Sequence, residues 1–409
     1  MRVLFVAPHP PLPLDNGGRL RTFHLLDELC RRAEVVLVCL DREPGSGMDR
    51  CPPEAIRLAL PGVRALEVLR APSARKRLRQ LRALSLGGSY TERMFRTPQL
   101  VRAVREGTQR FEPDLVHCDS LFCAYVHPTA APAASAQWVL SMHNSESLLK
   151  RRLAETADAW PRRRLYRTEG RALADLERHW LRAFDHCVAV SDRERALFAE
   201  VNPSAVTIPN GVEPLPEPGL PTAPSEVEPL RLLFVGSLNY EPNRQGLEWF
   251  AHEVAPRVRE RVRIEIEAVG PGARGPELPG VEYRGRVEDL APAYERAHAA
   301  VVPLRAGAGS RLKVLEALAR GVPLVSTPLG VEGFDLRDGE HALIAGEPDA
   351  IAERLALLDA SLRGNRALAA SLVDAGYHFA HRYFWPAIGE RLAATYEAWL
   401  EDHSSSIAS

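Results

Sequence analysis

Apolar and polar positions along the chain form short runs that change period repeatedly. Arg2-Val3-Leu4-Phe5-Val6-Ala7 is apolar at every position after the first, the pattern of a strand buried on both faces of a sheet. Similar runs predict strands at Glu34–Leu40, Asp114–Cys118, Gln137–Met142, His186–Val190 and Val206–Ile208. In the second half they predict strands at Leu230–Val235, Val262–Val269, Val281–Tyr283, Ala299–Val302, Pro323–Ser326 and His341–Ile344. Stretches of helical period lie between most of these. Strands alternating with helices predict parallel sheets covered on both faces.

The pattern is interrupted between Pro209 and Pro229, which holds seven prolines and little periodicity and reads as a stiff, extended linker. Beyond it, Leu230-Arg231-Leu232-Leu233-Phe234-Val235-Gly236 restarts the pattern of Arg2–Ala7. Two Rossmann-like α/β domains are therefore expected, residues 1–212 and 213–386, with a closing helix over about 387–409 packed back on the first. Ligands of open parallel sheets bind at the carboxyl ends of the strands. Two such domains facing each other across a cleft would hold their ligand there.

The length of 409 residues fits two domains of ordinary size, and 45% apolar residues suffice for a core in each. None of the six cysteines forms a C-x-x-C pair, and Cys39, Cys118 and Cys187 lie in strand-like runs. That usage fits a reducing cytoplasm. The first strand begins at residue 2, so no signal peptide is expected. No apolar run approaches the roughly 18 residues that cross a bilayer. Charge is unevenly spread. Residues 1–210 carry 32 Arg and Lys against 24 Asp and Glu, and residues 211–409 carry 20 against 29. The first domain is thus basic and the second acidic, which suggests different partners for each.

The strongest local signal runs from Ala299 to Thr327. A strand ends at Val302-Pro303, a loop Arg305-Ala306-Gly307-Ala308-Gly309 follows, and Ser310 is placed to cap a helix beginning at Arg311. Glycine backbone and a helix N-terminus together favour an anion. Arg311 and Lys313 put two cations where the helix dipole disfavours them, a conflict that an anionic ligand would resolve. Lys313 and Glu316 share a face, with Leu312, Leu315 and Leu318 turned to a core. An ordinary solvated Lys–Glu pair is the plainer alternative. His143 lies just past an apolar strand, at its carboxyl end, where a histidine can also serve merely to satisfy backbone groups. His117, inside a strand, reads as structural, and His9 lies in a proline-rich loop.

These segments resemble the group 1, or family 4, retaining glycosyltransferases of GT-B fold, and the resemblance covers essentially the whole chain. Its strongest piece is Lys313-Val314-Leu315-Glu316-Ala317-Leu318-Ala319-Arg320-Gly321-Val322-Pro323-Leu324-Val325-Ser326-Thr327, which is similar to the family's L-E-A-M-A-x-G-x-P-V-V-x segment. Asn16-Gly17-Gly18-Arg19, Ser141-Met142-His143-Asn144, Val188-Ala189-Val190-Ser191, Ile208-Pro209-Asn210-Gly211-Val212 and Leu233-Phe234-Val235-Gly236-Ser237-Leu238 resemble further family segments in the same order. The resemblance implies transfer of a sugar from a nucleoside diphosphate to an acceptor hydroxyl, with retention and without a metal or other cofactor. It implies that Glu316 binds the donor ribose and that Arg311 and Lys313 neutralise the diphosphate. Gly309, Ser310, Gly236 and Ser237 would lie about the donor, with Arg244 a weaker cation. Gly17, Gly18 and Arg19 would lie near the phosphate or the acceptor, and His143 would face the transferred sugar.

Two departures stand out. Ala308 replaces the first glutamate of the family's E-x7-E motif, and Ser237 replaces an arginine after the first glycine of the second domain. A nucleotide-sugar epimerase of the same fold and a non-catalytic nucleotide-sugar-binding module remain as alternative readings. The sequence has no D-x-D triplet, no zinc-like spacing, no G-x-S-x-G and no P-loop. Its basic stretches lack interleaved aromatics, so no nucleic-acid partner is expected. The acceptor is expected to be a glycan, a lipid-linked glycan or a small molecule. Basic clusters at Arg70, Arg75, Lys76, Arg77, Arg79 and Arg82, at Lys150-Arg151-Arg152 and at Arg162-Arg163-Arg164 suggest peripheral contact with an anionic membrane on its inner face. A solvated arginine-rich surface is the alternative.

Overall fold

The computed structural model describes residues 1–42, 51–71, 88–128, 136–157, 159–272 and 277–408. The chain divides into two compact units, Met1–Pro209 with Trp385–Ser409, and Asn210–Phe384. The first is built on β1 (Arg2–Ala7), β2 (Glu34–Arg42), β3 (Val63–Ala71), β4 (Leu115–Cys118), β5 (Gln137–Ser141), β6 (His186–Ala189) and β7 (Ala205–Thr207). They pair in parallel in the order β3-β2-β1-β4-β5-β6-β7. The second unit is built on β8 (Leu230–Val235), β9 (Ile264–Val269), β10 (Val281–Gly285), β11 (Ala299–Val302), β12 (Leu324–Ser326) and β13 (Leu343–Ile344). These are also parallel, in the order β10-β9-β8-β11-β12-β13.

Both sheets follow from the hydrophobic pattern. Val3 to Ala7 of β1 are fully buried between Val35–Cys39 on one side and Leu115–Cys118 on the other. A central parallel strand meets apolar neighbours on both faces and needs no polar alternation. Edge strands differ. β10 alternates half-buried and exposed positions, and β3 carries exposed Arg64, Glu67 and Arg70. The hydrophobic pattern predicts no strand at β3, because an edge strand lacks the continuous apolar run that marks the others.

Each sheet reverses its strand order once. The chain leaves β1 towards β2 on one side and resumes at β4 on the other, and it does the same around β8, with β9 on one side and β11 on the other. The crevice outside such a reversal is where open parallel sheets bind ligands.

The closing helix, Trp385–Ala408, belongs to the first unit. Trp385 stacks on His24 at 4.7 Å and Trp399 on His186 at 3.9 Å. Gln137 Nε2 donates to the Trp399 carbonyl at 3.2 Å, and Tyr396, fully buried, meets His117 Nδ1 through its hydroxyl. The proline-rich segment 210–229 is not a free spacer. Val212 N–H donates to the Tyr383 carbonyl at 2.8 Å, Tyr377 OH donates to the Leu215 carbonyl at 2.9 Å, and Arg366 donates to the Pro221 carbonyl. The segment is held within the second unit through its backbone, by one donated N–H and two accepting carbonyls, groups that an extended proline-rich chain does not pair internally. Among the described residues, no helix is long and apolar enough to cross a membrane.

Candidate active site

In the second unit, the loops after β8 and β11 flank the strand-order reversal. After β11 the chain passes through Gly307 and Gly309 into the helix Leu312–Ala319. Arg311 is the residue that caps this helix, in extended conformation, and no side chain accepts from the first turn. The expectation that Ser310 caps a helix starting at Arg311 is therefore corrected. Ser310 Oγ instead accepts from Asn210 Nδ2 at 3.0 Å, which fastens the Pro209-Asn210-Gly211-Val212 segment to the glycine loop. Arg311 is buried and its guanidinium lies over Gly307, where an added Cβ would come within 2.8 Å of Arg311 Nη2. Gly307 also holds a φ of +145°, a conformation that side chains rarely adopt, so a larger residue there would strain the loop and displace the guanidinium.

Lys313, in the first turn, reaches back to the loop after β8. Its Nζ donates to Asn243 Oδ1 at 2.8 Å and lies 4.6 Å from the centroid of the Phe234 ring. Asn243 Nδ2 donates in turn to the Ser237 carbonyl at 2.9 Å. Both side chains press on Gly236, where a Cβ would lie 2.6 Å from Asn243 Nδ2 and 2.7 Å from Lys313 Nζ. Burial, followed by the nearby charge of Arg311, pushes the Lys313 ammonium down to about 7. A cation held against an aromatic ring with an amide as partner is poised to gain from an arriving anion.

One turn on, Glu316 accepts a hydrogen bond from Tyr294 OH at 3.4 Å and sits 3.6 Å from Arg320. Burial raises its pKa. Leu315 and Leu318 enter the core beside Val314, while Leu312 remains only partly covered. Arg244 turns to its own helix, pairing with Glu241 at 2.6 Å and Glu248 at 2.9 Å. Asn243, its neighbour in sequence, is the residue that meets Lys313.

In the first unit, residues after β1, β4 and β5 converge at the other reversal. Asn16 Oδ1 accepts from Arg19 N–H at 3.1 Å, so Gly17 and Gly18 open the helix Gly17–Cys30. Arg19 is only 2% exposed and turns inward to Asp15 at 3.1 Å. Asp119, also buried, accepts from His143 Nε2 at 2.8 Å and from Thr22 Oγ1, and lies 3.4 Å from His117 Nε2. A Cβ on Gly18 would lie 3.5 Å from His143 Nδ1 and 3.7 Å from His9 Nε2, so both imidazoles flank this glycine. Burial, then the neighbouring His143 and Arg19, holds His9 down at about 4.

Two family models account for most of the chain. The glycosyl transferase 4-like domain matches residues 16–211, and the glycosyl transferases group 1 domain matches residues 229–359. The protein is a group 1, family 4 glycosyltransferase. The first match contains Gly18, Asp119 and His143, and the second contains Gly236, Asn243, Lys313 and Glu316. Among relatives of this glycosyltransferase, the phosphatidyl-myo-inositol mannosyltransferase of Mycobacterium leprae is 31% identical over 227 residues, 51% of this chain and 58% of that protein. An uncharacterised 44.6 kDa protein from the cps region of Klebsiella pneumoniae is 30% identical over 152 residues, 34% of this chain and 39% of that protein. The glycosyltransferase thus matches less than two thirds of the length of either relative. By fold it is similar to sucrose-phosphate synthase from Thermosynechococcus elongatus, with a TM-score of 0.70 at 18% identity over 98% of this chain and 100% of that one. It is also similar to Anabaena HepE in complex with UDP-glucose, with a TM-score of 0.63 at 16% identity over 97% and 100%. These likenesses are to two-domain GT-B structures, each domain an α/β unit.

The glycosyltransferase brings Gly236, Ser237, Lys313 and Arg311 to one reversal and Gly17, Gly18 and His143 to the other, each within its own unit. Asn243 and Asp119 escape sequence reasoning, because each is recognised by a partner 70 or 24 residues away. The signal that could have found Asp119 is its place directly after β4, at a strand's carboxyl end.

Proposed function

We propose that this glycosyltransferase moves a sugar from a nucleoside-diphosphate sugar to an acceptor hydroxyl with retention of anomeric configuration, using neither metal nor organic cofactor. The observation that carries this reading is Lys313, held by Asn243 over the bare backbone of Gly236 at the head of the helix behind the glycine loop. Departure of the diphosphate concentrates negative charge on its β-phosphate. A preorganised cation and helix N-terminus stabilise that charge more than they stabilise the ground state. Lys313 and Arg311 are assigned to that charge, backbone N–H groups of Ser237, Gly309 and Ser310 to the phosphates, with Gly236, whose own N–H donates to the Val269 carbonyl, leaving room beside them, and Glu316 to the ribose diol. His143 is assigned to the transferred sugar, with Gly17 and Gly18 beside it. The leaving phosphate takes the proton of the acceptor hydroxyl, so no protein nucleophile is needed. That HepE is described with UDP-glucose supports a nucleotide-sugar donor.

The acceptor is proposed to be a lipid-borne hydroxyl reached at an anionic membrane surface. The name of the mycobacterial relative supports this. So does the helix pair Glu146–Glu155 and Trp160–Ala183, which carries Lys150, Arg151, Arg152, Arg162, Arg163 and Arg164. At its tip Trp160 is 66% exposed, with the Arg164 guanidinium 5.6 Å from the ring centroid. The cluster Arg75 to Arg82 lies outside the described residues.

Incubation with UDP- and GDP-sugars and lipid or glycan acceptors, with and without EDTA, tests the reaction. Product of retained anomeric configuration by NMR, formed equally in EDTA, is expected. Inverted product, activity lost in EDTA and restored by Mg²⁺, or donor binding with no turnover on any acceptor would overturn the corresponding part.

A further inference from the structure

We infer that Asp119 is a positioning residue for sugar transfer: it holds His143 with the proton on Nε2, so that Nδ1 is presented as a hydrogen-bond acceptor on the Gly18 side. The inference rests on the assignment of His143 to the transferred sugar.

The geometry begins with what Asp119 touches. Its carboxylate is fully buried, and each polar atom about it can donate. His143 Nε2 lies at 2.8 Å from Oδ1, His117 Nε2 at 3.4 Å from the same oxygen, and Thr22 Oγ1 contacts Oδ2. An ionised carboxylate only accepts, so His143 must carry its proton on Nε2. Burial alone would raise the Asp119 pKa, but His143 and His117 outweigh it and hold the carboxyl well below the usual range. It therefore remains an acceptor throughout the neutral range.

His117 is fixed by the same logic. Its Nδ1 meets Tyr396 OH, and its ring stacks on Phe5 at 4.2 Å, 14° from parallel. With the phenol donating to Nδ1, His117 places its own proton on Nε2, towards Asp119. Tyr396, His117, Asp119 and His143 thus form one line of hydrogen bonds from the closing helix to the end of β5. Each member sets the tautomer or charge of the next.

The open end of the line is His143 Nδ1, 3.5 Å from where a Gly18 side chain would begin. The absence of a side chain there leaves that nitrogen uncovered by its neighbour. A neutral Nδ1 accepts from a hydroxyl; an Nδ1–H would instead donate to the hydroxyl oxygen and leave its proton to find another acceptor. The chemistry that recognises this nitrogen is a sugar hydroxyl, and its orientation, not the charge of Asp119 acting at a distance, is what the carboxylate supplies.

The test reads the tautomer and turnover separately. Nitrogen-15 imidazole spectra of the wild-type full-length chain are expected to show His143 protonated on Nε2 and not on Nδ1. The opposite tautomer overturns the inference without any variant. In Asp119→Asn the amide N–H can donate to Nε2, so the proton is expected to move to Nδ1. Replacing the carboxylate that orients a catalytic histidine by an amide costs about 10⁴ in kcat in a serine protease, through the wrong tautomer, and a loss of about a hundredfold or more is expected here. Affinity for the nucleoside diphosphate, assigned to the second unit, is expected to remain within about twofold. Retention of the wild-type tautomer in Asp119→Asn, or a tautomer change with kcat intact, overturns the inference. If Asp119→Asn does not fold, Thr22→Val and the wild-type spectrum decide it: Thr22→Val leaves Oδ1 with His143 and is expected to keep the Nε2 tautomer. If no donor and acceptor give turnover, the proposed function fails, while the spectra still decide whether Asp119 sets the tautomer.

Discussion

Asn243 joins the loops after β8 and β11 through one side chain, its Oδ1 2.8 Å from Lys313 Nζ and its Nδ2 2.9 Å from the Ser237 carbonyl. An amide at this position orients the lysine without neutralising it. Lys313 is held near 7 by burial and by Arg311. Binding of a diphosphate should draw a proton onto it. Affinity for UDP is therefore expected to weaken as pH rises above 7, by up to about tenfold per unit until the pKa of the bound form is reached. Calorimetry at neutral pH in buffers of different ionisation enthalpy should show uptake of a fraction of a proton. Lys313→Met should bind more weakly and with a flat pH profile over this range. A wild-type affinity that does not change between pH 7 and 9 would count against the coupling. The same group acts on stability: below its ordinary value of 10.5 the unfolded chain binds the extra proton, so this contribution grows as pH rises from 7 to 10.5.

Glu316→Gln is expected to weaken nucleoside-diphosphate binding by about 1.5–3 kcal/mol, the loss of a hydrogen bond to a charged group. The fold should survive, since Tyr294 can still donate to the amide oxygen. Equal affinities for wild type and variant in a titration would remove Glu316 from the donor site.

Arg21 donates to the carbonyls of Ile208 and Pro209 at 2.8 and 2.9 Å from a fully buried position. Burial lowers its pKa to about 10 without discharging it at neutral pH. Arg21→Met should cost about 3 kcal/mol or more, because two buried carbonyls lose a charged donor. Urea unfolding should show the shift, and a midpoint within error of wild type would mean that water replaces the guanidinium.

The strand pattern was largely legible because central parallel strands are apolar on both faces, as Val3–Ala7 and Ala299–Val302 are. β3 was not, since the alternation of an edge strand is weak when Arg64, Glu67 and Arg70 face water. The site was legible where local chemistry fixes it, as in the glycine loop and the first turn carrying Lys313. It was illegible where distant segments decide: Ser310 has the right identity for a helix cap, yet Asn210 takes its hydroxyl. Arg244 could have been read correctly, because Glu241 and Glu248 stand three and four residues away on its own helix and claim its charge.

Trp160 and its arginines make the membrane proposal testable apart from catalysis. The full-length protein should sediment with phosphatidylglycerol vesicles at low salt and release at high salt. Each basic residue near an anionic surface contributes about 1 kcal/mol, so Arg162→Glu with Arg164→Glu should reduce binding at least tenfold. Equal and negligible binding to neutral and anionic vesicles would point to a soluble acceptor.

The place of Trp385–Ala408 in the first unit orders the protein's assembly on the ribosome. The chain begins the first sheet, builds all of the second unit, and only then delivers Trp385, Tyr396 and Trp399 to His24, His117 and His186. The domain that is started first is thus completed last. During synthesis the second unit can fold as a finished body. The first meanwhile waits with His24, His117 and His186 lacking the rings that later cover them, a surface that a chaperone could protect.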